Sequence, residues 1–252
     1  MQIVGYRSAA GEGGPALEIA QDGSVRTVSL EAGTDLTYAL GDRHCAGTVT
    51  EEGHVACSND GAPRCEVHTS RFPCARCTGT CAMPTEVCHE EHALYLAAFA
   101  PRTVKVGVTR SWRLETRLRE QGADRGAHLR TVENGRVARQ IEADMADRFP
   151  DRVRVARKIE TLHRSVDVPH WRSVVSEFDP IDTVTLTYGL DLDVRPVAET
   201  VARGTVQGTK GRILVLSNGG TTYAVDLRDL VGHEVKRGRE GPALQSSFDA
   251  FS

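Results

Sequence analysis

The sequence predicts an α+β fold, and three observations lead there. Short β-rich runs separated by Gly, Pro and Asn-Gly turns occupy both ends, two amphipathic helical patterns lie in the middle, and all seven cysteines fall within 44 residues between the first β runs and the helices. The two helices are thus confined to the middle of a chain whose ends are β-rich, which reads as α+β architecture.

Residues 1–43 form an N-terminal β segment. Leu17–Ala20 and Val25–Leu30 flank Gln21-Asp22-Gly23, and Asp-Gly between apolar runs is a hairpin signal. Residues 44–91 hold the cysteines and few long apolar side chains, so this stretch cannot bury a core by itself. Residues 92–165 change grammar. Ala93–Ala100 and Thr103–Val108 make two β-rich runs around Pro101-Arg102. Arg113–Gln121 reads as a helix capped by Gly122. His128–Val132 reads as a third strand, and Arg136–Phe149 as a helix with Val137, Ile141, Met145 and Phe149 at four-residue spacing. The basic stretch 151–165 reads as strand mixed with short helix. Residues 180–238 return to β grammar in Thr183–Leu190, Arg212–Ser217, Thr221–Leu227 and His233–Arg237, a small sheet or barrel. The tail 239–252 reads as frayed.

Charge is unevenly spread. The chain of 252 residues carries 31 basic and 34 acidic side chains, a net −3. Yet residues 102–164 hold sixteen basic against nine acidic, leaving the remainder strongly acidic. A basic segment in an acidic protein marks either a polyanion-binding face or a solvated helical surface. Arginine outnumbers lysine 27 to 4, the lysines being 105, 158, 210 and 236. The longest apolar run, Ala93–Pro101, is too short to span a bilayer, and the start lacks the basic and apolar regions of a signal peptide. The expectation is a cytoplasmic protein with no membrane partner.

In a reducing compartment, clustered cysteines favour metal over disulfides. Cys74-Ala-Arg-Cys77 is the sharpest element, because a two-residue spacer lets both thiolates face one ion from a tight turn. Cys45 and Cys57 supply the second pair of a structural zinc site, with Cys65, Cys81 and Cys88 spare and His44, His54, His68, His89 and His92 nearby. Seven cysteines and one histidine would also suffice for two sites. A thiolate-rich, fully ligated zinc has no open position for water, so a structural role is expected.

Ala93-Leu94-Tyr95, Lys105-Val106-Gly107, Arg117 on a helix and Glu142 on a later helix resemble the GIY-YIG nuclease superfamily over residues 92–149. The first triplet ends in Tyr95 and the second in Gly107, but Lys105 stands where the second tyrosine belongs, and two extra residues separate Gly107 from Arg117. The resemblance implies Tyr95 as base, Lys105 as the group lowering its pKa and Arg117 as the phosphate fork. It also implies Mg²⁺ or Mn²⁺ at Glu142, with Gly107 and Arg113 contacting substrate. Over nearly the whole chain, Cys45-Ala-Gly, Cys74-x-x-Cys77, His-Ala-Leu-Tyr-Leu-Ala, Val-Lys-Val-Gly-Val-Thr, Glu-Gln-Gly-Ala and Ala-Arg-Gln-Ile-Glu resemble the domain-of-unknown-function family 2797.

These readings combine into a zinc-stabilised protein that binds DNA or RNA, with divalent-metal-dependent phosphodiester cleavage as its expected activity. Two rivals stand beside it. One keeps the fold as a catalytically inactive nucleic-acid or ribonucleoprotein adaptor. In the other the cysteines form a redox or protein-interaction module.

Overall fold

A computed structural model describes residues 1–8, 10, 13–69, 79–80 and 88–238. Cys74, Cys77, Cys81 and the tail from residue 239 lie outside the described residues.

The N-terminal strands are β1 (Gln2–Arg7), β2 (Ala16–Gln21), β3 (Ser24–Ser29) and β4 (Asp35–Arg43). Asp22 and Gly23, at φ 50° and 80°, make the β2–β3 turn, as the Asp-Gly signal predicts. Among the described residues the cysteine segment adds a small hairpin, β5 (Thr48–Thr50) with β6 (Gly53–Val55).

The middle of the chain holds β7 (His92–Phe99), β8 (Thr103–Arg110), a 3-10 turn (Ser111–Arg113), α1 (Leu114–Gln121), β9 (Arg125–Val132) and α2 (Gly135–Met145). α1 stops at Gly122, left-handed at φ 68°, as its position after the last helical residue implies. Between Gly107 and Arg117 the chain completes β8 and makes the 3-10 turn before entering α1. α2 starts at Asn134, whose side chain accepts from the Val137 amide. It ends at Met145, short of Phe149, and Val137 is exposed, so the expected four-residue stripe is only half right. Phe149 is buried from the loop beyond, edge-on to Phe178.

Two short helices follow, α3 (Val155–Glu160) and α4 (Val168–Val175), with no strand in the basic stretch. Then come β10 (Asp182–Thr185), β11 (Val197–Ala198), β12 (Ala202–Lys210), β13 (Ile213–Asn218), β14 (Thr221–Asp226), α5 (Leu227–Leu230) and β15 (His233–Arg237).

These strands make two main sheets in a mixed α/β molecule. The central sheet has order β10-β9-β7-β8. β10 belongs to the expected C-terminal β segment by sequence, yet it pairs with β9, Thr183 opposite Ala127. The second sheet has nine strands, β11-β14-β13-β12-β4-β15-β1-β2-β3, and joins both ends of the chain. Its terminal strands β11 and β3 do not pair, so it is an open sheet, curled around one core that includes Ile3, Leu17, Leu36, Leu214, Val225 and Val235.

The period-two alternation of β7 and β8 separates two cores. Leu94, Leu96, Val104 and Val106 face Ala138, Trp171 and Val174 of α2 and α4. Tyr95, Ala97 and Phe99 face Leu118 of α1. Lys105 pairs with Ala97 and Gly107 with Tyr95, which puts both on the α1 side. α3 packs Ile159 against Ile213 and Val215 of β13. The α1 face of the central sheet and the α3 face of the large sheet therefore approach each other. No helix among the described residues is long and apolar enough to cross a membrane.

Candidate functional site

Two constellations stand out, one of metal-ligating type and one cationic. The first gathers Cys45, Cys57, Cys65 and His68, whose ligand atoms all lie within 4.8 Å of one another. Cys45 follows β4, and its amide donates to the Asn59 carbonyl at 2.8 Å. Cys57 follows the β5–β6 hairpin. Cys65 opens a tight turn in which the His68 and Thr69 amides both return to its carbonyl, at 3.0 and 2.9 Å. That turn carries two ligands at a three-residue spacing.

The His68 Nδ1 lies 3.4 Å from the Cys45 Sγ and 3.3 Å from the Cys65 Sγ, and the Cys57 and Cys65 sulfurs are 4.0 Å apart. A tetrahedral zinc requires about 3.8 Å between sulfurs and about 3.6 Å from sulfur to nitrogen. The sulfurs are much too far apart for a disulfide bond of about 2.05 Å. The Asn59 side-chain amide, 3.6 Å from Cys65 Sγ, and the His68 amide bring the Cys65 thiol down to about 6, against the opposing effect of burial. That favours the thiolate a metal binds. The cluster is compatible with a structural zinc.

The sequence assigned Cys45 and Cys57 to this site and treated Cys65 and His68 as spares. Among the described residues it is Cys65 and His68 that complete the set, because the loop folds back after the β5–β6 hairpin. His44 and His54 are turned to backbone carbonyls of Cys57 and Ala46, at 2.9 Å each. Gln2 of β1 donates to the Cys45 and Gly232 carbonyls, and Arg64 donates to the Val4 carbonyl. The cluster thus clips the cysteine segment onto the nine-stranded sheet.

The second constellation is a cleft of about 730 Å³ between the two main sheets. Among the described residues eight basic side chains line it against two acidic ones, Glu120 and Asp151. Lys105, Arg117, Arg152, Arg154 and Lys158 come from the basic segment, while Arg7, Lys210 and Arg212 come from the other sheet. The cationic surface is therefore not confined to residues 102–164.

Lys105, 8% exposed, donates to the Asp151 carbonyl at 2.7 Å. Burial, then Arg117, lowers its pKa to about 8. Lys158 donates to the Gln121 carbonyl at 2.7 Å with its ammonium 4.4 Å from the Phe99 ring centre. Burial and the charges of Lys105, Arg212, Lys210 and Arg117 bring it to about 7. Arg117 pairs with Glu120 at 3.1 Å, Lys210 with Asp124 at 2.6 Å and Arg212 with Asp226 at 2.7 Å.

The four residues expected to be catalytic are near one another but do not share one groove. Lys105 and Arg117 line the cleft. Tyr95 lies behind it, 1% exposed, its hydroxyl accepting from Gln121 Nε2 at 2.7 Å. Burial raises its pKa, with Arg117 only partly opposing. Glu142 is on α2, across the sheet, and pairs with Arg139 at 2.6 Å. Its charge still acts on Tyr95 and Lys105. Gln140 of the same helix meets the cysteine segment, donating to the Gly79 carbonyl at 3.1 Å. Gly107 accommodates the Tyr95 ring, not open space: a Cβ there would lie 2.5 Å from the phenol oxygen. Arg113 shares Glu120 with Arg117, at 2.8 Å.

Sequence reasoning missed Lys158, Lys210 and Arg212. The available signal was rarity, since three of the four lysines line this cleft.

A family model described as a protein of unknown function (DUF2797) matches residues 36–188. The chain belongs to this family. The match takes in β4, the metal-type cluster and the whole central sheet, so within DUF2797 the matched region carries one wall of the cleft, and β12 and β13 beyond it carry the other. No curated protein and no solved structure matches the chain.

Proposed function

We propose that this protein binds nucleic acid in the cleft between its two sheets, with a zinc at Cys45, Cys57, Cys65 and His68 fixing the cysteine segment. The observation that carries the reading is the eight-to-two excess of basic side chains around one concave site. Guanidinium and ammonium groups gathered from two sheets suit the repeated charge of a phosphodiester backbone, and counterion release would dominate the affinity. The GIY-YIG resemblance of residues 92–149 supports the same ligand class.

The test is fluorescence anisotropy with labelled single- and double-stranded DNA and RNA at several salt concentrations. Binding that weakens steeply with salt is expected, and Arg152→Glu with Arg154→Glu should abolish it while the unfolding midpoint holds. Absence of binding to every substrate at 50 mM salt would sink the reading.

Phosphodiester cleavage is a second reading, favoured by the charges of Arg117 and Glu142 both acting on Tyr95 and on Lys105. Mg²⁺ or Mn²⁺ at Glu142 would supply charge neutralisation on the phosphate. The raised pKa and buried hydroxyl of Tyr95 are the reverse of what a general base needs, which is why binding leads. Incubation with Mn²⁺ and mixed substrates decides: cleavage lost in both Tyr95→Phe and Glu142→Ala supports it, and cleavage unaffected by either removes it.

A further inference from the structure

Among the described residues three of the eight cleft cations, Lys105, Lys158 and Arg154, have no ion pair, and of these the two lysines are shielded from solvent while Arg154 is exposed. Lys210, Arg117 and Arg212 each face a carboxylate within 3.1 Å. Among the described residues neither Lys105 nor Lys158 has a carboxylate within ion-pair distance. Each ammonium makes its one short bond to a neutral carbonyl, of Asp151 and of Gln121. An ammonium carries three N–H donors, so each retains donors beyond that bond.

The surroundings make the pair costly to leave as it stands. Burial disfavours a charged amine, and a second cation in the same cleft disfavours it further. Arg117, Lys210 and Arg212 add to the repulsion at Lys158, and Arg117 and Arg139 to that at Lys105, where Glu142 and Asp151 oppose it. Residue choice points the same way. In a chain with 27 arginines and four lysines, both of these inner positions are lysine. A compact point charge on a flexible stem fits a small, near-spherical anion, whereas the planar guanidinium suits extended backbone contacts.

We propose that Lys105 and Lys158 form a phosphomonoester-binding subsite at the floor of the cleft, taking the terminal phosphate of a nucleic acid. This rests on the reading of the cleft as a nucleic-acid site and adds which part of the ligand enters it. Two ammoniums match a dianion better than the single charge of an internal diester. A chain end also reaches the 8%-exposed Lys105 without having to pass through and leave again. The same chemistry would accept a free nucleoside monophosphate or inorganic phosphate.

The experiment compares one oligonucleotide sequence bearing a 5′-phosphate, a 3′-phosphate or two hydroxyl ends, together with a nucleoside monophosphate and inorganic phosphate as competitors. One phosphorylated end should bind at least tenfold tighter than the hydroxyl form, and millimolar inorganic phosphate should erase that advantage. Lys158→Gln should lose it too, while Lys158→Arg keeps part of it. The comparison among ligands uses the unaltered protein, so it holds even if a variant folds poorly. Equal affinity for all three ends overturns the subsite while leaving the cleft reading intact. Binding of the monophosphate or inorganic phosphate without any oligonucleotide binding keeps the subsite and overturns the nucleic-acid reading. Binding of none of them overturns both.

Discussion

The backbone nitrogen of Gly122 lies where a side chain on Gly211 would begin: a Cβ built on Gly211 would sit 2.6 Å from it and 2.7 Å from the Glu120 carbonyl. Gly122 caps α1 of the central sheet, and Gly211 turns β12 into β13 of the large sheet. This contact, with Lys210–Asp124 beside it, sets the spacing of the two cleft walls. Gly211→Ala should therefore destabilise by roughly 2–4 kcal/mol, combining a strained φ of 59° with overpacking. Gly220→Ala, at φ 80° with open space around it, should lose only about 1 kcal/mol. Chemical denaturation of both variants measures the difference, and anion binding should weaken only in Gly211→Ala.

Metal content tests the cysteine cluster. The purified protein should hold about one zinc per chain, resistant to mild oxidant, by elemental analysis and thiol titration. Cys65→Ser or His68→Ala should lose it and lower the unfolding midpoint by at least about 5 °C. Zinc retained in Cys65→Ser but lost in Cys74→Ser would move the site to the Cys74–Cys77 pair, and thiols that oxidise readily in the zinc-loaded protein would favour the redox module.

Salt dependence reports how many cleft cations meet phosphates. Arg152→Ala and Arg154→Ala should each lower the slope of log affinity against log salt by about 1, for every sequence alike. A change confined to one sequence would mean base contact instead.

Lys105 and Lys158 make stability depend on pH in an uncommon direction. Both have folded pKa values, about 8 and about 7, below the ordinary 10.5. Between those values the unfolded chain binds more protons than the folded one, so stability rises with pH from about 7 to about 10. Thermal melts across that window should climb, and Lys105→Met with Lys158→Met should flatten the rise.

Gly107→Ala checks the packing behind the cleft. The new methyl would meet the Tyr95 ring at 2.5 Å, and a loss of about 1–3 kcal/mol is expected. Adding Tyr95→Leu should recover part of it, measured by a double-mutant cycle.

The sequence made some of this structure easy to read. The β7–β8 hairpin and α1 were visible because Ala93–Ala100 is apolar throughout and Gly122 is a local stop. α4 was missed although Asp167, Pro169, Trp171, Val174 and Val175 spell a cap and a buried face. Pairings that span most of the chain leave no local trace. Nothing near His233 says that β15 lies between β1 and β4, nor that β10 leaves its neighbours to join β9. The metal-type set was half legible for the same reason: Cys65 and His68 join Cys45 only through the folding back of the loop. The cleft was least legible, because its charge is assembled from two sheets.

The nine-stranded sheet has a temporal consequence during synthesis. β4 waits for β12 and β15, emerging some 160 and 190 residues later, to cover both of its edges, while β7, β8 and β9 can pair as soon as they appear. The central sheet is thus free to form first on the ribosome, with the early strands left open-edged until the last one arrives. A nascent chain halted before residue 233 would carry a finished central sheet beside an incomplete large one.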